Sequence, residues 1–157
     1  MNIKIYTIGK CKDFYKTGID EYVKRLSSYC KLQVIELKDE SIPDKPSQAQ
    51  IQKAIEAESN RVLSLVKNEY LIALDLNQKE MDSVEFSKFL NDKLEANGAN
   101  ISFVIGGSYG LSDELKKRAN ASISFSKMTF PHQLARLILL EQIFRAFKIL
   151  NNETYHK

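Results

Sequence analysis

The stretch Ile101-Ser102-Phe103-Val104-Ile105-Gly106-Gly107-Ser108-Tyr109-Gly110-Leu111-Ser112-Asp113-Glu114 decides how the rest of the chain is read. Its opening residues are apolar, β-branched or aromatic, and read as a buried strand. Gly106, Gly107 and Gly110 follow. Lacking a Cβ, they let the backbone reach positive φ and approach a ligand closely. Ser112 is a capping type, and Asp113 and Glu114 suit the positive end of a helix dipole. The unit is strand, glycine loop, helix.

Phosphate binding is the first chemistry such a unit suggests, and the residues argue against it. A P-loop places a lysine and a hydroxyl after its last glycine, and a dinucleotide fingerprint spaces its glycines as G-x-G-x-x-G; neither is present. Asp113 and Glu114 would also compete with a pyrophosphate for the helix terminus. An uncharged or cationic ligand suits the loop better, and a tight structural turn is the equal alternative.

A second strand, Ala121-Ser122-Ile123-Ser124-Phe125, alternates Ile123 and Phe125 against serines and runs into the irregular segment Ser126-Lys127-Met128-Thr129-Phe130-Pro131. In an open α/β sheet, ligands sit outside the carboxyl ends of the strands, where both loops fall.

Outward from this core the chain alternates strand and helix. Ile3, Ile5, Tyr6 and Ile8 form a first strand ending at Gly9; Asp13 caps a helix whose inward set is Phe14, Ile19, Tyr22, Val23 and Leu26. Lys31 to Leu37 is a second strand. Lys38 to Gln48 carries two prolines among polar residues and reads as a surface loop able to fold over a ligand. Ser47 caps a solvent-facing helix to about Val66, with Ile51, Ile55, Val62, Leu63 and Val66 inward. Tyr70 to Leu76 is the most continuous apolar strand and belongs at the sheet centre. A helix from Ser83 to Leu94, with Phe86, Phe89, Leu90 and Leu94 inward, stops at Asn97-Gly98. The order predicts an α/β fold, a mostly parallel sheet flanked by helices.

The last helix, opened by Pro131, is too apolar for a single stripe, with Leu134, Leu137 to Leu140, Ile143, Phe144, Phe147, Ile149 and Leu150. A second copy of the chain is the simplest additional partner, and burial between two helices of the same domain is the competing account. Glu141 and Arg145, four apart, form an intrahelical pair on the plainest reading, whereas Arg136 and Arg145 also suit phosphates.

The 157 residues suffice for one domain, with 43% hydrophobic and 27% charged residues and a net charge of +3. That balance does not by itself imply nucleic acid. Cys11, Cys30 and only two histidines, His132 and His156, offer no familiar zinc spacing, so no metal is expected. With no signal-peptide core and no spanning run, the expectation is a cytoplasmic protein without membrane contact.

The segments Phe103 to Leu111, Ser124 to Gln133, Arg145 to Ile149 and Tyr155-His156-Lys157 together resemble the RlmH family of SPOUT-class methyltransferases over the full length, 1–157. The resemblance implies a single SPOUT domain with a C-terminal trefoil knot, a homodimer, and S-adenosylmethionine as methyl donor. It implies methylation of the imide nitrogen (N3) of a pseudouridine in 23S ribosomal RNA within the assembled ribosome. Carried over by position, the cofactor residues are Leu74, Gly106, Phe125, Ser126, Lys127, Met128, Thr129 and Phe130, with Ser126 and Thr129 equally readable as turn formers. The catalytic residues are His156 as general base, with Tyr155 and Arg145 positioning the base or stabilising its anion; proximity of the reacting groups is the alternative source of acceleration. In a dimer, the tail of one subunit can serve the pocket of the other. A cationic sulfonium removes the objection raised by the acids near the glycine loop. Gln78, where many relatives have glycine, and Lys157, where some have arginine, depart from the family pattern. A SPOUT methyltransferase with another RNA target, a non-catalytic ribosome-binding dimer and a nucleotide-binding module are the competing functions.

Overall fold

The computed structural model describes residues 1–157, with five strands and five helices. The strands are β1 (Asn2–Ile8), β2 (Lys31–Leu37), β3 (Tyr70–Leu74), β4 (Asn100–Ile105) and β5 (Ala121–Ile123). The helices are α1 (Asp13–Leu26), α2 (Gln48–Leu65), α3 (Ser83–Ala96), α4 (Asp113–Arg118) and α5 (His132–Leu150). All strands pair in parallel, in the order β2-β1-β4-β3-β5. Every strand is separated from the next by a helix, as parallel pairing requires.

The two faces follow from side-chain alternation. Ile3, Ile5, Ile72, Ile101, Phe103 and Ile105 point to one face, which α1, α3 and α5 cover. Tyr6, Ile8, Leu71, Ala73 and Val104 point to the other, under α2 and α4. The shortest strand, β5, stops at Ile123 rather than Phe125, because Ser124 leaves the ladder to bridge Glu80.

Two expectations are corrected. Asp13 stands in the first turn of α1 rather than at its cap, which is Lys12, and Phe14 faces outward at 84% exposure. Lys12 gains its order from across the fold, its amide donating to Gln133 Oε1 at 2.7 Å. The apolar content of α5 follows the competing account, burial between two helices of the domain: the helix lies on β4 between α1 and α3, while Leu134, Leu137, Ile138, Ile149 and Leu150 stay half-buried. Gly18 of α1 allows that contact: a Cβ there would stand 3.1 Å from Leu137.

Helix α2 is not an ordinary solvent-facing helix. Its buried residues are Ala54, Glu58, Ser59 and Val62, while Ile51, Ile55, Leu63 and Val66 are only half-buried. Polar residues turn inward because they meet backbone groups there. Glu58 accepts from the Glu40 amide at 2.9 Å, and Ser59 Oγ accepts from the Ser112 amide at 2.9 Å. Arg61 ties the 38–47 loop to the same helix, donating to the Lys38 carbonyl at 2.7 Å and pairing with Glu40. The capping box of Ser47 and Gln50 fixes its start.

Candidate functional site

Loops at the carboxyl ends of β3, β4 and β5 enclose a cavity of about 700 Å³. Leu74 to Asn77, Ile105 to Leu111, Ser124 to Ser126 and Met128 to Phe130 supply most of its wall, and Pro131, His132 and Ala135 at the start of α5 close it. Its size and largely apolar lining suit a small organic molecule.

The glycine loop is folded tightly on itself. The Gly110 amide donates to the Gly107 carbonyl at 3.1 Å, and Gly110 takes a φ of 88°. Gly106 presses on that turn so closely that a Cβ would stand 2.7 Å from the Gly110 carbonyl carbon. Below the loop, Glu58 and Ile8 lie against Gly107. Ser112 caps α4 by accepting from the Leu115 amide at 3.1 Å, so the helix start and the loop are fixed together. Burial holds the Glu58 carboxyl above the ordinary range, opposed by the Glu40 amide.

The other two loops hold one another. Ser124 Oγ donates to the Ser126 carbonyl at 3.0 Å, the Ser124 amide donates to the Lys79 carbonyl at 3.2 Å, and the Asp75 amide donates to the Ile123 carbonyl at 3.0 Å. Asp75, nearly buried, faces Lys116 Nζ at 3.6 Å. Ser126 takes the turn-forming role, its Oγ accepting from the Met128 amide at 3.0 Å. The amides of Phe125, Thr129 and Phe130 find no partner within the chain. All three residues border the cavity, and their amide donors are left unclaimed by the chain.

Of the residues expected at a cofactor, Leu74, Gly106, Phe125, Ser126, Met128, Thr129 and Phe130 all line this cavity. Lys127 does not; it is exposed beside it. Sequence reading missed Ile105, Leu76, Tyr109 and His132 as wall residues, although the strand-end rule reaches the first two. Burial, and then the nearby Arg136 guanidinium, lower the His132 imidazole pKa, so His132 presents a neutral ring at neutral pH.

Arg136 does not face solvent phosphates. It is 2% exposed and donates to the carbonyls of Ile8 at 2.6 Å and Gly9 at 2.8 Å and to Glu36 at 3.1 Å. It joins the end of β1 to α5.

Arg145, Tyr155 and His156 do converge, around Glu141. Glu141 Oε1 accepts from Arg145 Nη2 at 2.6 Å and from the Tyr155 hydroxyl at 3.2 Å, and Arg145 Nη1 lies 3.2 Å from His156 Nδ1. The Arg145 guanidinium stacks 4.8 Å from the Tyr155 ring centroid, and that ring meets Phe144 edge-on. Burial, with Tyr22 and Glu141 adjacent, pushes the Tyr155 hydroxyl up to about 12. The segment is pinned, since Glu153 accepts from Tyr29 at 2.7 Å and pairs with Lys148 at 2.6 Å.

These tail residues are not in the first cavity. His156 lines a second one, of about 490 Å³, with Met81 to Val84, Phe86, Ile138 and Gln142. The two cavities share Ile123, Ser124, Phe125 and Phe130 as a common wall. No three His, Cys, Asp or Glu side chains converge in a metal-holding group, and no helix is long and apolar enough to cross a membrane.

A family model described as predicted SPOUT methyltransferase matches residues 1–156. A Clostridium botulinum (strain Eklund 17B / Type B) protein named ribosomal RNA large subunit methyltransferase H is 53% identical over the whole of both chains. A Clostridium acetobutylicum protein of the same name is 50% identical, again end to end. Among solved structures, a probable methylase family protein from Haemophilus influenzae Rd KW20 superposes with a TM-score of 0.56 at 15% identity, over 99% of this chain and 70% of that one. At that identity the likeness concerns the fold.

Proposed function

The chain belongs to the SPOUT methyltransferase family, among the ribosomal RNA large subunit methyltransferase H proteins, and we propose that it methylates N3 of a pseudouridine in 23S ribosomal RNA, using S-adenosylmethionine. The observation that supports the reading is the pair of adjoining cavities: one has apolar walls and residues with unpartnered amides, the other is edged by His156 of the tail cluster, and Phe125 and Phe130 stand between them.

The first cavity fits the cofactor. Leu74, Ile105, Phe125 and Phe130 offer apolar surface to an adenine, and the free amides of the 124–130 loop offer donors to its edge. Gly106, Ser126, Met128 and Thr129 complete the wall, with Lys127 beside it at the opening. When bound, the cofactor supplies a sulfonium-borne methyl group, an electrophile that an anionic imide nitrogen attacks. The chain's part is to hold the target beside that group and to stabilise the anion left when the imide proton departs. Arg145, Tyr155 and His156 take that part.

The same reading includes a single domain, 1–157, with a C-terminal trefoil knot, working as a cytoplasmic homodimer. Phe14 at 84% and Met128 at 73% exposure are apolar groups that a second copy can cover. The alternative to a site within one chain is that the tail of one subunit serves the cavity of the other. Mixed dimers of a cavity mutant and a tail mutant then recover activity, and failure to recover it rejects sharing across the interface.

A net charge of only +3 offers little general attraction for RNA, so recognition is assigned to the shape of the assembled ribosome. The test is methyl transfer from labelled S-adenosylmethionine to whole ribosomes, isolated subunits and naked ribosomal RNA, with the product mapped by mass spectrometry. Label on a 23S pseudouridine, from whole ribosomes above all, is the expected result. Cofactor binding without label on any of the three removes the proposed acceptor; absence of cofactor binding removes the methyltransferase reading.

A further inference from the structure

The contact between Arg145 and His156 fixes which ring nitrogen carries the proton. A guanidinium has only donors and does not deprotonate in a protein, and Glu141 strengthens the charge of this one. At 3.2 Å from Arg145 Nη1, His156 Nδ1 therefore accepts. In a neutral imidazole the other nitrogen then bears the hydrogen. A doubly protonated ring would set its own N–H against the guanidinium and lose the contact.

The edge of His156 left for a ligand is thus an N–H donor, with no lone pair to take up a proton. Glu141 makes this arrangement firm: its carboxylate holds Arg145 through Nη2 at 2.6 Å and Nε at 3.1 Å, while the Tyr155 hydroxyl donates to the same oxygen at 3.2 Å. His156 also borders the second cavity, whose walls are Phe125, Phe130, Phe86 and Ile138, with Ser83 Oγ donating to Gln142 Oε1 at 2.7 Å. A planar base has aromatic surface to lie against there.

We propose that Glu141 and Arg145 lock His156 as an Nε2–H donor into the second cavity, where it binds a carbonyl oxygen of the target base and stabilises its imide anion instead of acting as the general base. The inference rests on the methyltransferase reading for its substrate and on hydrogen-bond geometry for its tautomer. The imide proton passes to a water molecule or hydroxide ion in the cavity. The electron pair it leaves on nitrogen spreads onto the two flanking carbonyl oxygens, and one of these accepts from His156 Nε2. Glu141 is a positioning residue that acts through Arg145.

The charged and titratable groups around this site are Arg145, which touches the ring, Glu141 and Tyr155, which hold Arg145, and Asp82, which lines the same cavity. None of these apart from Arg145 bonds to the ring, so the tautomer follows from the one contact.

Two measurements test this. Nitrogen-15 NMR of the imidazole in the full-length protein, above the ionisation range of histidine, is expected to show His156 in the Nε2–H form. Glu141→Gln and Arg145→Met are expected to shift it toward a mixture. Single-turnover methyl transfer to whole ribosomes, with the cofactor saturating, is then compared for His156→Gln and His156→Ala. Glutamine places an N–H near the Nε2 position and cannot accept a proton, so His156→Gln is expected within about tenfold of the native rate. His156→Ala is expected to fall by about a hundredfold, the usual cost of a lost oxyanion donor. The native rate is expected to keep rising with pH above histidine ionisation, where a histidine base would already give a plateau. An Nδ1–H tautomer, equal loss in both variants, or a plateau overturns the proposal. If no ribosomal substrate is methylated, the NMR result still decides the tautomer, so failure of the substrate reading is separable from failure of the lock.

Discussion

Replacing Gly106 by alanine puts the glycine loop to its most direct test. The added Cβ would stand 2.7 Å from the Gly110 carbonyl carbon, 2.8 Å from its oxygen and 2.9 Å from its Cα. All three obstacles are backbone atoms of the same loop, so no rotamer change relieves them. Ordinary contact begins near 3.4 Å, which requires the far side of the loop to retreat by about 0.7 Å. Overpacking of this kind costs about 1–3 kcal/mol when it is confined, and a surface loop that can move sits at the lower end. Thermal unfolding is therefore expected to fall by only about 2–4 °C. Ligand binding responds more strongly, because the moved backbone no longer meets the bound molecule; loss of two backbone hydrogen bonds is about 2 kcal/mol, or roughly thirtyfold in Kd. Gly107→Ala meets Glu58 Oε1 at 3.1 Å and Ile8 Cγ2 at 3.2 Å, side-chain atoms able to yield, and Gly110→Ala has open space but a φ of 88° that strains alanine. The expected order of affinity loss is Gly106→Ala, then Gly110→Ala, then Gly107→Ala, measured by titration calorimetry with S-adenosylmethionine. Native affinity in a folded Gly106→Ala protein refutes the placement of the ligand against this loop.

Arg136→Met leaves the Ile8 and Gly9 carbonyls without their buried donor, and calorimetric unfolding should show a loss of about 2–4 kcal/mol; a negligible shift would mean that water replaces the guanidinium at no cost. Glu58 has a folded pKa above its unfolded value, so its contribution to stability falls as pH rises from the unfolded to the folded pKa. Glu58→Gln is accordingly expected to be at least as stable as the native protein near pH 7, with the advantage vanishing toward pH 4 in denaturant titrations; a growing advantage at low pH would reverse the sign. Removing Tyr155 to Lys157 should leave cofactor affinity within about twofold, since these residues are outside the first cavity, while methyl transfer drops by about a hundredfold or more. Equal loss of both functions would show that the tail shapes the first cavity as well.

The elements that local chemistry specifies were legible in the chain. Lys31 to Leu37, the Ser47 and Ser112 caps and the glycine loop stand where propensity, capping and the loss of Cβ put them. The inward face of α2 was not legible. Apolar periodicity selects Ile51 and Ile55, yet Glu58 and Ser59 turn inward, because the Glu40 and Ser112 amides and Gly107 come to meet them from distant parts of the chain. A buried carboxylate is specified by its partners, and those are known only once the sheet has brought three loops together. Phe14 is the converse: helical spacing places it inward, but α5 reaches α1 through Gly18 and Leu137 and leaves Phe14 outside the contact.

The site residues divide along the same line. Leu74, Gly106 and Phe125 belong to strand ends and a glycine loop, so sheet geometry alone directs attention to them. Tyr155 and His156 sit in a short polar segment that periodicity cannot distinguish from a frayed end. What holds them beside the second cavity is α5. Its first turn closes the first cavity with His132 and Ala135, its middle lines the second with Ile138 and Gln142, and its Glu141–Arg145 pair grips the segment that follows. His132 and Arg145 are thirteen residues apart, or about 20 Å along a helix. A single rod held on both sides by α1 and α3 therefore sets the distance from ligand cavity to tail cluster. The apolar surplus of α5, which first suggested a second chain, is what holds that rod in place between two helices and the sheet. Of its polar residues, His132 and Gln142 line the two cavities, Arg136 ties it to β1, and Glu141 and Arg145 hold the tail.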